Sequence, residues 1–121
     1  MSVRIVRLGT PRAPGEGLRI GTVRRPPRGV PKSKFAWLPN LSPAPATIAL
    51  GLAARTDRQW TVFAKRYRRE MASPDNRRVI DLLAALSHHA SFSVGCYCAD
   101  EARCHRSVLR ELLRERRAAI R

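Results

Sequence analysis

Apolar and basic residues alternate from Val3 to Leu8, with Val3, Ile5 and Leu8 set against Arg4 and Arg7. A period of two is the repeat of a strand with one buried face, and the turn-rich PRAPGEG that follows ends it. Leu18, Ile20 and Thr22–Val23 predict a second short strand. That strand runs into RRPPRGVPKSK, where prolines and a glycine forbid regular pairing while Arg24, Arg25, Arg28, Lys32 and Lys34 crowd together. Pro43 and Pro45 open a helix through Thr47, Ile48, Leu50 and Leu52, since the first turn tolerates proline, although Gly51 weakens the pattern. A further helix, capped by Asp57, carries Trp60, Phe63, Ala64 and Tyr67 at helical spacing. Ser73-Pro74-Asp75 starts another, with Val79, Ile80, Leu82, Leu83 and Leu86 as its apolar stripe up to His88 and His89. Ser91 to Cys98 alternates Phe92, Val94 and Cys96 with small or polar residues, the pattern of a strand inside the sheet. From about Cys104 an amphipathic helix presents Val108, Leu109, Leu112 and Leu113, and its tail, RERRAAIR, is expected to fray.

Strands early, helices in the middle, then strand and helix again indicate an α/β domain with a small, mostly parallel sheet flanked by helices. The 121 residues suit one compact domain over the whole chain, since a single hydrophobic core commonly needs about 100 to 150 residues. A hydrophobic share of 44% beside 27% charged residues excludes collagen-like, low-complexity and fully disordered classes. The longest apolar-and-glycine run, Thr47 to Ala54, falls far short of the roughly 20 residues of a membrane helix, and MSVRIVRLGT lacks the apolar core of a signal peptide. A cytoplasmic protein with no membrane partner is expected.

Charge narrows the partners. Twenty-four Lys and Arg against nine Asp and Glu leave a net charge of +15, and only Lys32, Lys34 and Lys65 among the cations are lysines. Arginine offers phosphate or carboxylate a planar two-pronged donor and stays protonated, so a small anionic ligand or a nucleic acid is the expected partner. Net charge by itself speaks to solubility and non-specific attraction, and no nucleic-acid-binding motif accompanies it.

The chemistry is concentrated in one segment. Cys96, Cys98 and Cys104 lie within nine residues and no other cysteine exists, a distribution unlike a secreted disulfide framework. Cys96 to Arg106 joins the last strand to the last helix, at the strand end where open α/β sheets bind ligands. A helix starting near Cys104 aims free backbone N–H groups at that loop, Arg106 adds a full charge, and both lower the pKa of a nearby thiol.

The same segment, SVGCYCADEARCHRSVL, resembles the C-terminal signature of the domain-of-unknown-function-488 family, which includes the YeaO-like proteins; the Cys-His-Arg triplet opening a helix carries most of the likeness. Upstream, GLRIGTVRRPPRGVPKSKF is similar to that family's strand and arginine loop, and WTVFAKRYRREM to its Trp, Phe, Tyr and Glu helix. The resemblance implies a compact α/β fold and no general activity. The chain departs from it at Thr22, where many members have aspartate, and at Cys96-Tyr97-Cys98, where many have Cys-x-Glu.

Three functional readings follow. In the first, Cys98 or Cys104 is a nucleophile, His105 an acid or base, and Arg24, Arg25, Arg28 and Arg106 hold an anion, a phosphorylated or nucleotide-like ligand. Neither Cys98 nor Cys96 starts a phosphatase C-x5-R loop, because Cys104 stands six residues beyond Cys98 and Ala102 six beyond Cys96. In the second, the chain is a basic nucleic-acid-binding module. In the third, Cys96, Cys98, Cys104 and His105 hold zinc or iron, though C-x-C with adjacent Cys-His departs from the usual C-x(2 to 4)-C zinc spacing. Reduced cysteines packed at the sheet edge are the alternative to that metal site.

Overall fold

The computed structural model describes residues 1–31 and 34–121. Strands β1 (Val3–Arg7), β2 (Leu18–Gly21), β3 (Ala36–Trp37) and β4 (Phe92–Cys96) form one sheet in the order β1-β4-β2-β3, parallel throughout. Helices α1 (Pro45–Ala53), α2 (Asp57–Met71) and α3 (Pro74–Leu86) connect β3 to β4, and α4 (His105–Glu115) follows β4. The α/β class and the interior position of β4 agree with the sequence pattern.

Register decides which side chains meet the helices. Val3, Phe92 and Leu18 stand side by side across β1, β4 and β2, as do Ile5, Val94 and Ile20. Val3, Ile20, Phe92 and Val94 point into the core, where they meet Phe63, Tyr67 and Met71 of α2, Ile80, Leu83 and Ala84 of α3, and four residues of α4. Phe63, Tyr67 and Met71 recur every fourth residue, so one face of α2 is buried while Val62 on another stays exposed. Side chains alternate along a strand, so Arg19 and Ser93 face away from the helices, yet both are buried. The loop between β1 and β2 covers them: Arg19 donates to the Thr10 and Pro11 carbonyls at 2.8 and 3.2 Å, and Glu16 accepts from Arg19 at 2.5 and 3.0 Å. Helices line one face of the sheet and this loop covers part of the other.

Several boundaries differ from expectation. The second strand stops at Gly21 instead of reaching Val23, although the Thr22 N–H still donates to the Gly95 carbonyl at 2.8 Å. The last strand is Phe92–Cys96, shorter than Ser91–Cys98. The two-residue β3 has too little apolar alternation to be seen in sequence. Thr56, not Asp57, caps α2: its hydroxyl accepts from the Gln59 N–H while the Gln59 side chain accepts from the Thr56 N–H. The tail does not fray. Val3 donates to Ala119 at 2.8 Å and Arg121 donates to Val3 at 2.9 Å, so Ile120 pairs in parallel with the outer edge of β1. In the basic loop Arg24 to Lys34, Lys32 lies outside the described residues. Among the described residues no helix is long and apolar enough to cross a membrane.

Candidate functional site

β1, β2 and β4 run parallel, so their carboxyl ends share one edge, and the segments leaving β2 and β4 meet the start of α4 there. Cys104 is the N-cap of α4 in extended conformation and His105 its first residue. That geometry folds the Cys98–Cys104 loop back, so Cys104 returns to Cys96 at the end of β4. Their Sγ atoms lie 2.9 Å apart, and both residues are buried. Cys98 is exposed at the same place.

His105 is buried between β2 and α2, its ring edge-on to Tyr67 with centroids 5.5 Å apart. Its Nε2 is 3.0 Å from the Thr22 hydroxyl and 3.0 Å from the Thr22 carbonyl. The carbonyl can only accept, and the hydroxyl has its own acceptor in the Gly95 carbonyl at 3.1 Å. Those partners assign the proton to Nε2. The lone pair is thereby left on Nδ1, which faces Cys104 Sγ at 3.7 Å. The tautomer therefore makes His105 an acceptor toward the thiols.

Arg106 is only 3% exposed. One Nη2 proton goes to the Cys98 carbonyl at 2.6 Å, and its Nε has no hydrogen-bond partner among the described residues. A buried cation needs compensating charge, and the thiols are the groups that can supply it. Burial alone disfavours the charged guanidinium, but hydrogen bonding to Cys104 and the negative charges of Cys104 and Glu101 outweigh burial and raise its pKa.

The three thiols share protons unequally. Cys98 is lowered far below the ordinary thiol range by hydrogen bonds from Cys104 and Cys96, with the Arg106 charge adding to them. Cys104 is lowered too, chiefly by its hydrogen bond from Cys96. Cys96 is pushed up, because it donates to Cys104 and Cys98 and is buried. Negative charge is thus favoured on Cys98, the exposed sulfur. Tyr67, fully buried beside them, is raised by desolvation and then by the charge of Cys104; its hydroxyl donates to the Leu41 carbonyl at 2.7 Å.

Cys98, Cys104 and His105 line a shallow cleft of about 50 Å³ together with Trp60, Phe63 and Pro43. Arg24 sits behind its rim, donating to the Ser42 and Pro43 carbonyls at 3.1 and 2.9 Å. Arg25 and Arg28 are exposed and do not line that cleft. Cys96, Cys104 and His105 place one ligand atom each within 4.8 Å of one another, a soft and borderline donor set that suits zinc or iron; Cys98 is not part of that group.

Two participants escaped the sequence reading. Thr22 stood out only as a missing aspartate, yet it fixes the histidine tautomer. Tyr67 read as a core aromatic and is that, but its ring also walls the imidazole. Glu70 acts structurally: its carboxylate accepts from the Ala44 N–H at 2.8 Å and from the Thr47 hydroxyl, tying α2 to the start of α1.

Residues 3–117 match the family model described as the Active DUF488-N3 subclade. No curated protein and no solved structure matches the chain.

Proposed function

The chain belongs to the DUF488 family, and from that premise we propose that it is a cysteine-dependent enzyme in which Cys98 is the nucleophile toward an anionic, phosphorylated or nucleotide-like ligand. The observation that carries this reading is the convergence of an exposed Cys98 with buried Cys96, Cys104, His105 and Arg106 at the carboxyl edge of a parallel sheet. The matching subclade's description as active is in keeping with it.

Each residue has a role in such chemistry. The Cys98 sulfur bonds to the ligand's electrophilic atom as the leaving group departs with its electron pair. Cys104 and His105 form a thiol–imidazole pair behind it that takes up or returns a proton through Nδ1. Arg106 is a positioning residue: its charge favours thiolate over thiol, and its bond to the Cys98 carbonyl orients the loop. Arg24, Arg25 and Arg28 raise the local concentration of an anion near the edge.

Limiting iodoacetamide followed by peptide mapping tests the assignment. Cys98 is expected to react first, faster than glutathione at the same pH, and Arg106→Gln is expected to slow it while leaving a folded protein by circular dichroism. Preferential labelling of Cys96 or Cys104, or a Cys98 no faster than glutathione, would overturn it.

A further inference from the structure

A second concavity of about 430 Å³ lies at the same sheet edge and shares no lining residue with the thiol cleft. Its walls are the loop leaving β1, the loop leaving β2, and Tyr97 just past β4. Three parallel strands thus end at one crevice, the place where open parallel sheets take ligands. Its volume falls within the roughly 300–1,000 Å³ of small-molecule sites.

The lining has a definite chemistry. Arg12 and Lys34 are exposed on it, Arg19 stands in its wall, and among the described residues no acidic one lines it. Glu16, beside Arg19, is neutralised by that arginine. No salt bridge engages Arg12 or Lys34 among the described residues. Arg12 is held in place, because one of its Nη1 protons goes to the Gly17 carbonyl at 2.6 Å. The remaining wall is aromatic: Tyr97 and Phe35 meet edge to face with centroids 6.3 Å apart, and Tyr97 is part-exposed. Gly9 has φ +85° and faces the Tyr97 ring, where a Cβ would come within 3.3 Å; its missing side chain leaves room at the ring.

Two exposed cations outside any salt bridge among the described residues select an anion, and an aromatic ring beside them selects a flat, polarisable group attached to it. We propose that this cleft binds a nucleoside monophosphate, its phosphate on Arg12 and Lys34 and its base against Tyr97. The inference deepens the thiol reading by naming a ligand class for the same edge, and it rests on that reading only for what happens to the ligand afterwards. A cleft of this size accommodates a mononucleotide.

Calorimetric titration of the full chain with adenosine 5′-monophosphate, adenosine, inorganic phosphate and a short single-stranded DNA tests it. One mononucleotide per chain is expected, with adenosine and phosphate each binding more weakly. A hydrogen bond to a charged group contributes about 1.5–3 kcal/mol, so Arg12→Ala and Lys34→Ala should each weaken binding about tenfold or more. Both side chains are exposed, so these variants should melt with the parent. Tyr97→Ala should weaken binding and Tyr97→Phe should retain it. Absence of mononucleotide binding at millimolar concentration, inorganic phosphate binding as tightly as the nucleotide, or indifference to Arg12→Ala and Lys34→Ala would overturn the assignment. So would DNA affinity that rises with strand length and collapses with salt. An unreactive Cys98 with intact nucleotide binding refutes the thiol reading alone, and the converse refutes this one alone.

Discussion

Replacing Glu16 by glutamine removes one charge with almost no change of shape, at a pair whose side chains are 3% and 5% exposed. In the parent, both Glu16 oxygens accept from Arg19, which also donates to the Thr10 and Pro11 carbonyls. After Glu16→Gln the guanidinium keeps the carbonyls and loses its counter-charge in a buried place. Removing one partner of a buried pair typically costs about 3–5 kcal/mol, a large part of the roughly 5–15 kcal/mol that holds a domain together. The midpoint of thermal unfolding should therefore fall by on the order of 10 °C. The cost should also depend on pH. Hydrogen bonding to Arg19 holds the Glu16 carboxyl below the ordinary range, which outweighs the upward pull of burial. A carboxyl lowered on folding contributes stability that is fully present above its unfolded pKa of about 4.3 and is lost as pH falls through the folded value. Urea unfolding of parent and variant between pH 7 and pH 3 should show a gap that is constant near neutrality and shrinks on the acid side. Arg19→Met added to Glu16→Gln should recover part of the loss, because it removes the unpaired charge. A gap below about 1 kcal/mol that does not change with pH would refute the reasoning, placing the pair among screened surface ion pairs.

Three further outcomes follow. Gly17→Ala should destabilise by more than about 2 kcal/mol in chemical unfolding, since Gly17 has φ +80° and a Cβ there would lie 1.9 Å from the Ser91 carbonyl oxygen. Deleting residues 118–121 should expose the Val3 amide to hydrogen exchange and lower the melting temperature, because Ala119 and Arg121 pair with Val3 and the Ala119 N–H donates to the Ser87 hydroxyl; unchanged Val3 protection would contradict a structural role for the tail. Brief treatment with a small-molecule disulfide should cap the exposed Cys98 first as a mixed disulfide, releasing one equivalent of the reagent's thiol; first capping of Cys96 or Cys104 would contradict it.

The sequence by itself determined the class of fold and the segment in which the cysteines and His105 gather, because both rest on local order. Alternation at Val3–Leu8 and Phe92–Cys96, and the stripes of Phe63–Tyr67, Ile80–Leu83 and Leu109–Leu113, are short-range patterns that survive without knowledge of neighbours. The grouping of Cys96, Cys98, Cys104 and His105 within ten residues was equally visible. The tertiary structure decided everything that depends on long-range pairing. Thr22 reaches His105 across 83 positions, and only that contact settles which imidazole nitrogen faces Cys104. Whether RERRAAIR frays or docks depended on β1 having an open edge beside it. Arg24 and Arg106 read alike as anion clamps, yet one is tied to the Ser42 and Pro43 carbonyls and the other is buried under Cys98. The cleft of Arg12, Lys34 and Tyr97 is assembled from three strand ends, so the basic loop marked Lys34 in sequence but nothing joined it to Arg12 or Tyr97. A charge acquires a role from what surrounds it, and for these arginines the surroundings come from parts of the chain that meet only when the parallel sheet closes.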